Sequence, residues 1–232
     1  MLKKSLMDSW SFFKNHTVAI SIIILPIVVP ISILTALYMR FLTTSDEYLF
    51  AEQLPPMLIG IIAHPIYAVG VVFYIASVVS GESIETKTAW KLGAKFWLPY
   101  LIVSILVGFA VVFGLIFLII PGIIIAIRYA FSEFDLLLNK SRPLDAMRNS
   151  WSATKEYTWV ILGGYTVITL VLYVPYYLMA SLFDESSISS LVLNTVSNIV
   201  YSVLGVLYTI FAFRVYEFAK LQHNQSLNDD AP

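Results

Sequence analysis

Long runs of apolar residues, separated by short polar punctuation, dominate the chain. They lie near 18–38, 57–80, 98–120, 159–182 and 190–213. Each is close to the roughly 20 helical residues needed to cross a hydrocarbon core of about 30 Å. A sixth stretch, about 123–138, is shorter and carries Arg128, Glu133 and Asp135. Runs of this length predict membrane helices, because a helix satisfies its backbone polar groups within one segment and lipid offers no other partner. The first run is longer than a signal-peptide core and has no small-residue cleavage site after it, so it reads as a retained first span. The predicted fold is all-α and polytopic, with a six-span membrane domain over 1–218 and a polar cytoplasmic tail over 219–232, the tail without regular structure.

Charge decides the sixth span. With six spans and a cytoplasmic N-terminus, the inner side carries Lys3, Lys4, Lys14, Lys87, Lys91, Lys95, Lys140, Arg142, Arg148, Lys155, Arg214 and Lys220, which is 12 of the 14 basic residues. The outer loops then hold Asp46, Glu47, Glu52, Asp184 and Glu185. If Pro121-Gly122 were a kink in one long helix, the group from Lys140 to Lys155 would move outside, against the positive-inside rule. Pro121-Gly122 is therefore expected to be a tight outer turn, with both termini cytoplasmic. Composition agrees. The chain is 59% hydrophobic and 12% charged, against about 25% charged in soluble domains. A net charge of −1 gives no argument for nucleic-acid binding.

Three segments preceding the odd-numbered spans resemble one another: "MDSWSFFKNHTV", "KTAWKLGAKFWL" and "MRNSWSATKEYTWV". At 100° per residue, Lys87, Lys91 and Lys95 share one face, opposite Ala89, Leu92, Phe96 and Trp97. Leu2, Leu6, Trp10 and Phe13 cluster likewise, as do Leu144, Met147 and Trp151 beside Arg148 and Lys155. The pattern predicts amphipathic interfacial helices on the cytoplasmic leaflet, anchored by Trp10, Lys14, Trp90, Lys91, Lys95, Arg148, Trp151 and Lys155. Two explanations fit it: three repeats of surface helix plus hairpin, or the general placement of Trp and Lys at membrane interfaces.

Arg128 is the residue within the spans that most needs explaining. It lies about ten residues from the inner end of its stretch, roughly 15 Å deep, where an arginine costs at least about 2.5–3.5 kcal/mol on a single helix. Asp135, seven residues on, shares its face; Glu133 points elsewhere, and both acids fit the inner headgroup boundary. Arg128 is then either a lipid-phosphate or polar-cavity site, or a strut paired to carbonyls and aromatic rings. Asn194 and Asn198 stand one turn apart in the last span, as a binding pair or as interhelical glue. His64, beside Pro65, reads as structure. Pro26, Pro30, Pro65 and Pro175 are expected to break or bend their spans, and Ala110 with Gly114 marks close packing.

Catalytic chemistry has no foothold in the sequence. There is no cysteine; His16, His64 and His223 match no zinc spacing; and no phosphate loop or nucleophile elbow occurs. No cofactor or metal is implied.

The segment "IIPGIIIAIRYAFSEFDLLLNKSRPLDAMRNSWSATKEYTW" resembles the YciC-like bacterial inner-membrane family and the related membrane domain of some glycerophosphodiester phosphodiesterases. The matching positions are Pro121, Gly122, Arg128, Ala146, Arg148, Ser150 and Trp151. The resemblance implies a polytopic bacterial inner-membrane protein and transfers no catalytic residue, since the phosphodiesterase activity belongs to a separate soluble domain. The resulting expectation is a non-enzymatic protein that binds membrane lipids, a membrane-protein partner or a second copy of itself in envelope maintenance. The alternative is a transporter or flippase of a lipid or small amphiphile, using Arg128, Asp135, Asn194 and Asn198.

Overall fold

A computed structural model of the chain describes residues 1–41, 50–181 and 188–229. Among the described residues the structure is helical throughout: α1 (Leu2–Phe41), α2 (Phe50–Val79), α3 (Thr86–Phe117), α4 (Ile119–Arg128), α5 (Ser132–Leu138), α6 (Pro143–Ala153), α7 (Thr158–Ala180), α8 (Ile188–Leu204) and α9 (Val206–Asp229). Five stretches are long and apolar enough to cross a membrane: Leu2–Phe41, Phe50–Val79, Thr86–Phe117, Thr158–Met179 and Leu191–Gln222. Large apolar side chains stand open along them, among them Phe109 and Ile116 at 71% and 74% exposure. Water does not tolerate a surface of this extent, and hydrocarbon does. The chain is an integral membrane protein.

Several sequence expectations change. The two N-terminal amphipathic segments are not separate surface helices: the first continues into its span as α1, and the second runs on through Pro99 as α3. Only the third stands alone, as α6. Prolines 26, 30, 65 and 175 all lie inside continuous helices. The break after α3 falls at Leu118, which is extended (φ −163°, ψ 149°), while Pro121 and Gly122 sit within the first turn of α4. Pro is at home there, since first-turn N–H groups lack intrahelical partners. Gly114 packs against Gly122, where an added Cβ would lie 2.9 Å from the Gly122 Cα. Without side chains at these positions α3 and α4 can turn back on each other.

The 123–138 stretch is likewise two helices, interrupted at 129–131. The polar segment after Phe218 is helical through Asp229 as the end of α9. Asp46, Glu47, Asp184 and Glu185, expected from the sequence in outer loops, lie outside the described residues.

Two compact units make up the chain. The first comprises Met1–Asn15, Phe96–Ile168 and Leu207 onwards. Its core is aromatic: Tyr100, Phe131, Phe134, Phe211 and Phe213 are fully buried. Phe134 meets Phe213 edge to face at 5.4 Å, and Phe131 meets Tyr216 at 5.5 Å, a geometry that aligns ring edges with ring faces. The second unit comprises His16–Lys95 and Thr169–Val206. Its core is aliphatic, with Ile20, Ile23, Ile24, Val69, Val71, Val72 and Ile75 buried. Here α2 and α3 touch through backbone: a Cβ on Gly93 would lie 2.2 Å from the Ile66 carbonyl oxygen.

Candidate functional site

The polar residues that drew attention in the sequence converge, in part, in the first unit, where α6 packs against α5 and α4. A helix of ten residues such as α4 ends with carbonyls that no longer find intrahelical donors. At Arg128 the deficit is met from α6: the Arg128 carbonyl accepts from Ser150 Oγ at 2.7 Å and from Thr154 Oγ1 at 3.1 Å. Ser150 Oγ in turn accepts from the Phe131 N–H at 3.0 Å. Ala146, Ser150 and Thr154, at four-residue spacing on one face of α6, are all buried. Small residues there let the two backbones approach closely.

The Arg128 guanidinium turns to α6 as well. One terminal nitrogen donates to the Trp151 carbonyl at 3.2 Å. The guanidinium carbon lies 5.4 Å from the centre of the Trp151 ring, a cation–π contact. Tyr129 packs on the same ring at 5.4 Å. The Arg128 Nε is buried without a hydrogen-bond partner. This is the arrangement of a strut, and Arg214 repeats it with its guanidinium 5.5 Å from the Phe12 ring.

Asp135 is buried within the protein, at 7% exposure. Its two carboxylate oxygens accept from Asn139 Nδ2 at 2.7 Å and from Asn149 Nδ2 at 3.0 Å, and Asn139 also donates to the Tyr216 hydroxyl at 3.1 Å. Amide donors, not Arg128, satisfy the carboxylate. The shared helical face predicted for Arg128 and Asp135 is lost because the helix breaks between them.

Glu133, also placed at the boundary by the sequence, is turned inward and accepts a hydrogen bond from the Tyr100 hydroxyl. Its position on a helix of only seven residues, with partners on α3 and α7, left no periodic signal to find.

Asn194 and Asn198 belong to the second unit. Asn194 Oδ1 accepts from the Tyr176 hydroxyl at 3.1 Å, and Asn198 Oδ1 accepts from Ser32 Oγ at 3.3 Å. They are rungs from α8 to α7 and to α1.

The anchor residues are largely outward. Lys14, Lys91, Lys95, Arg148 and Lys155 are exposed. Trp10 is 49% exposed and stacked on Phe13 at 6.0 Å; Trp90 is half-buried; Trp151 is 40% exposed. On α6 the outer surface therefore combines apolar Leu144 and Trp151 with basic Arg142 and Arg148, followed by Lys155. Among the described residues no group of His, Asp and Glu has the geometry to hold a metal ion.

A model of the uncharacterised protein family UPF0259 matches residues 44–218. Among curated proteins, the chain is similar to UPF0259 membrane proteins of Buchnera aphidicola subsp. Acyrthosiphon pisum, in strains Tuc7, 5A and APS. Each is 31% identical over 121 residues, covering 52% of this chain and 48% of the relative. The chain thus spans about half the length of the curated relatives it matches. No solved structure matches. With three quarters of its length matched by the family model, the chain belongs to the UPF0259 membrane protein family.

Proposed function

We propose that the protein is a non-enzymatic bacterial inner-membrane protein that holds anionic lipid headgroups on the outer surface of α6 and so supports the envelope. The observation that carries this reading is the division of α6. Its inner stripe of Ala146, Ser150 and Thr154 is buried and fixes the helix to α4. Its outer surface leaves Arg142, Arg148, Lys155, Leu144 and Trp151 exposed. Basic residues near an anionic surface contribute about 1 kcal/mol each, and exposed Trp and Leu suit the acyl boundary. A membrane-protein partner or a second copy with an acidic, apolar surface would fit the same chemistry. No nucleic acid, metal or cofactor enters this reading.

The same proposal takes six spans with both termini cytoplasmic. At 1.5 Å per residue α4 and α5 together supply about 25 Å of helix, near the hydrocarbon thickness. Counting them as one crossing puts the basic residues from Lys140 to Lys155 on the side of Lys3, Lys4 and Lys14. A second reading, transport of a lipid or small amphiphile past Arg128, is favoured by its buried Nε without a partner.

Two experiments test the proposal. Reconstituted in mixed phosphatidylglycerol and phosphatidylethanolamine nanodiscs, the protein should enrich phosphatidylglycerol in its boundary, and Arg148→Gln/Lys155→Gln should remove that enrichment. Equal lipid ratios with and without those charges would end the α6 reading. Reporter fusions after Lys140 should report the cytoplasm; an external signal would end the six-span topology.

A further inference from the structure

Four helices of the first unit bring polar groups to one place that the α6 reading does not use. Glu133 on α5 lies between Ser132 and Phe134, each 1% exposed, yet it keeps part of its own surface accessible. Tyr100 of α3 is 1% exposed and donates its hydroxyl hydrogen to the Glu133 carboxylate. Tyr165 of α7 lies near enough to feel the Glu133 charge. Tyr208 of α9 meets the Tyr165 ring edge to face at 5.3 Å. One turn beyond Tyr100 on the same face of α3, Ser104 Oγ is buried and has no hydrogen-bond partner. A buried hydroxyl without a partner calls for a missing water, ion or ligand.

The chemistry of these groups is one-sided. Among the described residues, the two side chains tied to Glu133, Tyr100 and Tyr165, carry no positive charge. A carboxylate and a hydroxyl are acceptors, and tyrosine faces attract cations. An ammonium group presents three donors and one positive charge. We propose that Glu133, Tyr100, Tyr165 and Tyr208, with Ser104 beside them, form a binding site for a primary ammonium group, carried either by an aminolipid headgroup or by a free amine. The site stands apart from the α6 surface in its residues and in the sign of charge it selects, so it does not depend on that proposal.

The test uses the full chain in mild detergent, titrated with ethanolamine hydrochloride, with dihexanoylphosphatidylethanolamine, and with dihexanoylphosphatidylglycerol as the amine-free control. Thermal unfolding followed by tryptophan fluorescence reads binding. Saturable stabilisation by phosphatidylethanolamine but not phosphatidylglycerol is expected. Glu133→Gln should weaken it about tenfold or more, as expected for loss of a charge-assisted contact. Tyr165→Leu should weaken it several-fold, and Tyr165→Phe, which keeps the ring, much less. Stabilisation by the lipid alone assigns the site to a headgroup; stabilisation by both amines assigns it to ammonium from either source. Absence of saturable stabilisation by either amine, equal stabilisation by phosphatidylglycerol, or unchanged binding in Glu133→Gln would overturn the proposal. Should Glu133→Gln fail to fold, unchanged binding in Tyr165→Leu overturns it equally.

Discussion

Two polar regions of this membrane protein use similar residues to different ends. Between Arg128 and Thr154, in the first unit, side chains converge in groups: two hydroxyls on one carbonyl, and two amides on one carboxylate. Along α8, in the second unit, Asn194 and Asn198 each reach one hydroxyl. The first region contains helices of seven to eleven residues, too short to be stable alone. They hold their places through side chains that complete the unpaired backbone groups at helix ends. The second joins helices of 17 residues or more, whose backbones are already satisfied, so its asparagines only add to packing. The value of a polar residue in the membrane follows from how many otherwise unpaired groups depend on it.

Substitutions can break or sharpen this contrast. The largest loss is expected for Asp135→Ala, which removes two charge-assisted hydrogen bonds made by a buried carboxylate and should cost about 2–4 kcal/mol in denaturant unfolding. Gly93→Ala tests the second unit where it has no slack. With a Cβ aimed at the Ile66 carbonyl, overpacking should cost about 2 kcal/mol, and a cost near zero would show that α2 and α3 part easily. Ser150→Ala removes a partner from both the Phe131 N–H and the Arg128 carbonyl, and about 1–2 kcal/mol is expected, with faster hydrogen exchange at Phe131. Asn198→Leu should cost only about 0.6 kcal/mol, the typical worth of an interhelical hydrogen bond; a loss as large as that of Asp135→Ala would erase the contrast.

The long helices were legible because hydrocarbon imposes length and apolarity directly on sequence, as in 57–80 and 159–182. The polar contacts were less so. Asn194 and Asn198 showed their shared face through simple spacing, but the spacing left binding and bracing both open, and only the structure supplies their hydroxyl partners on α7 and α1. Arg128 and Asp135 seemed to share a face only under an unbroken helix, and the interruption at 129–131 carries no proline or glycine to announce it. Asn139, Asn149, Ser150 and Thr154 gave no signal because their partners are backbone groups exposed by that same interruption. The inward contacts of Glu133 were hidden for a related reason: Tyr100 and Tyr165 come from α3 and α7, distant in sequence.

Both conclusions about the polar first unit, a strut at Arg128 and a headgroup surface on α6, meet in native mass spectrometry of three forms purified in mild detergent: wild type, Arg128→Gln and Arg148→Gln/Lys155→Gln. Anionic lipid should remain bound to Arg128→Gln while that variant unfolds more easily, and it should be lost from the α6 double variant while its stability is kept. Loss of the lipid from Arg128→Gln, with the α6 variant still holding it, would contradict both conclusions and move the site to Arg128.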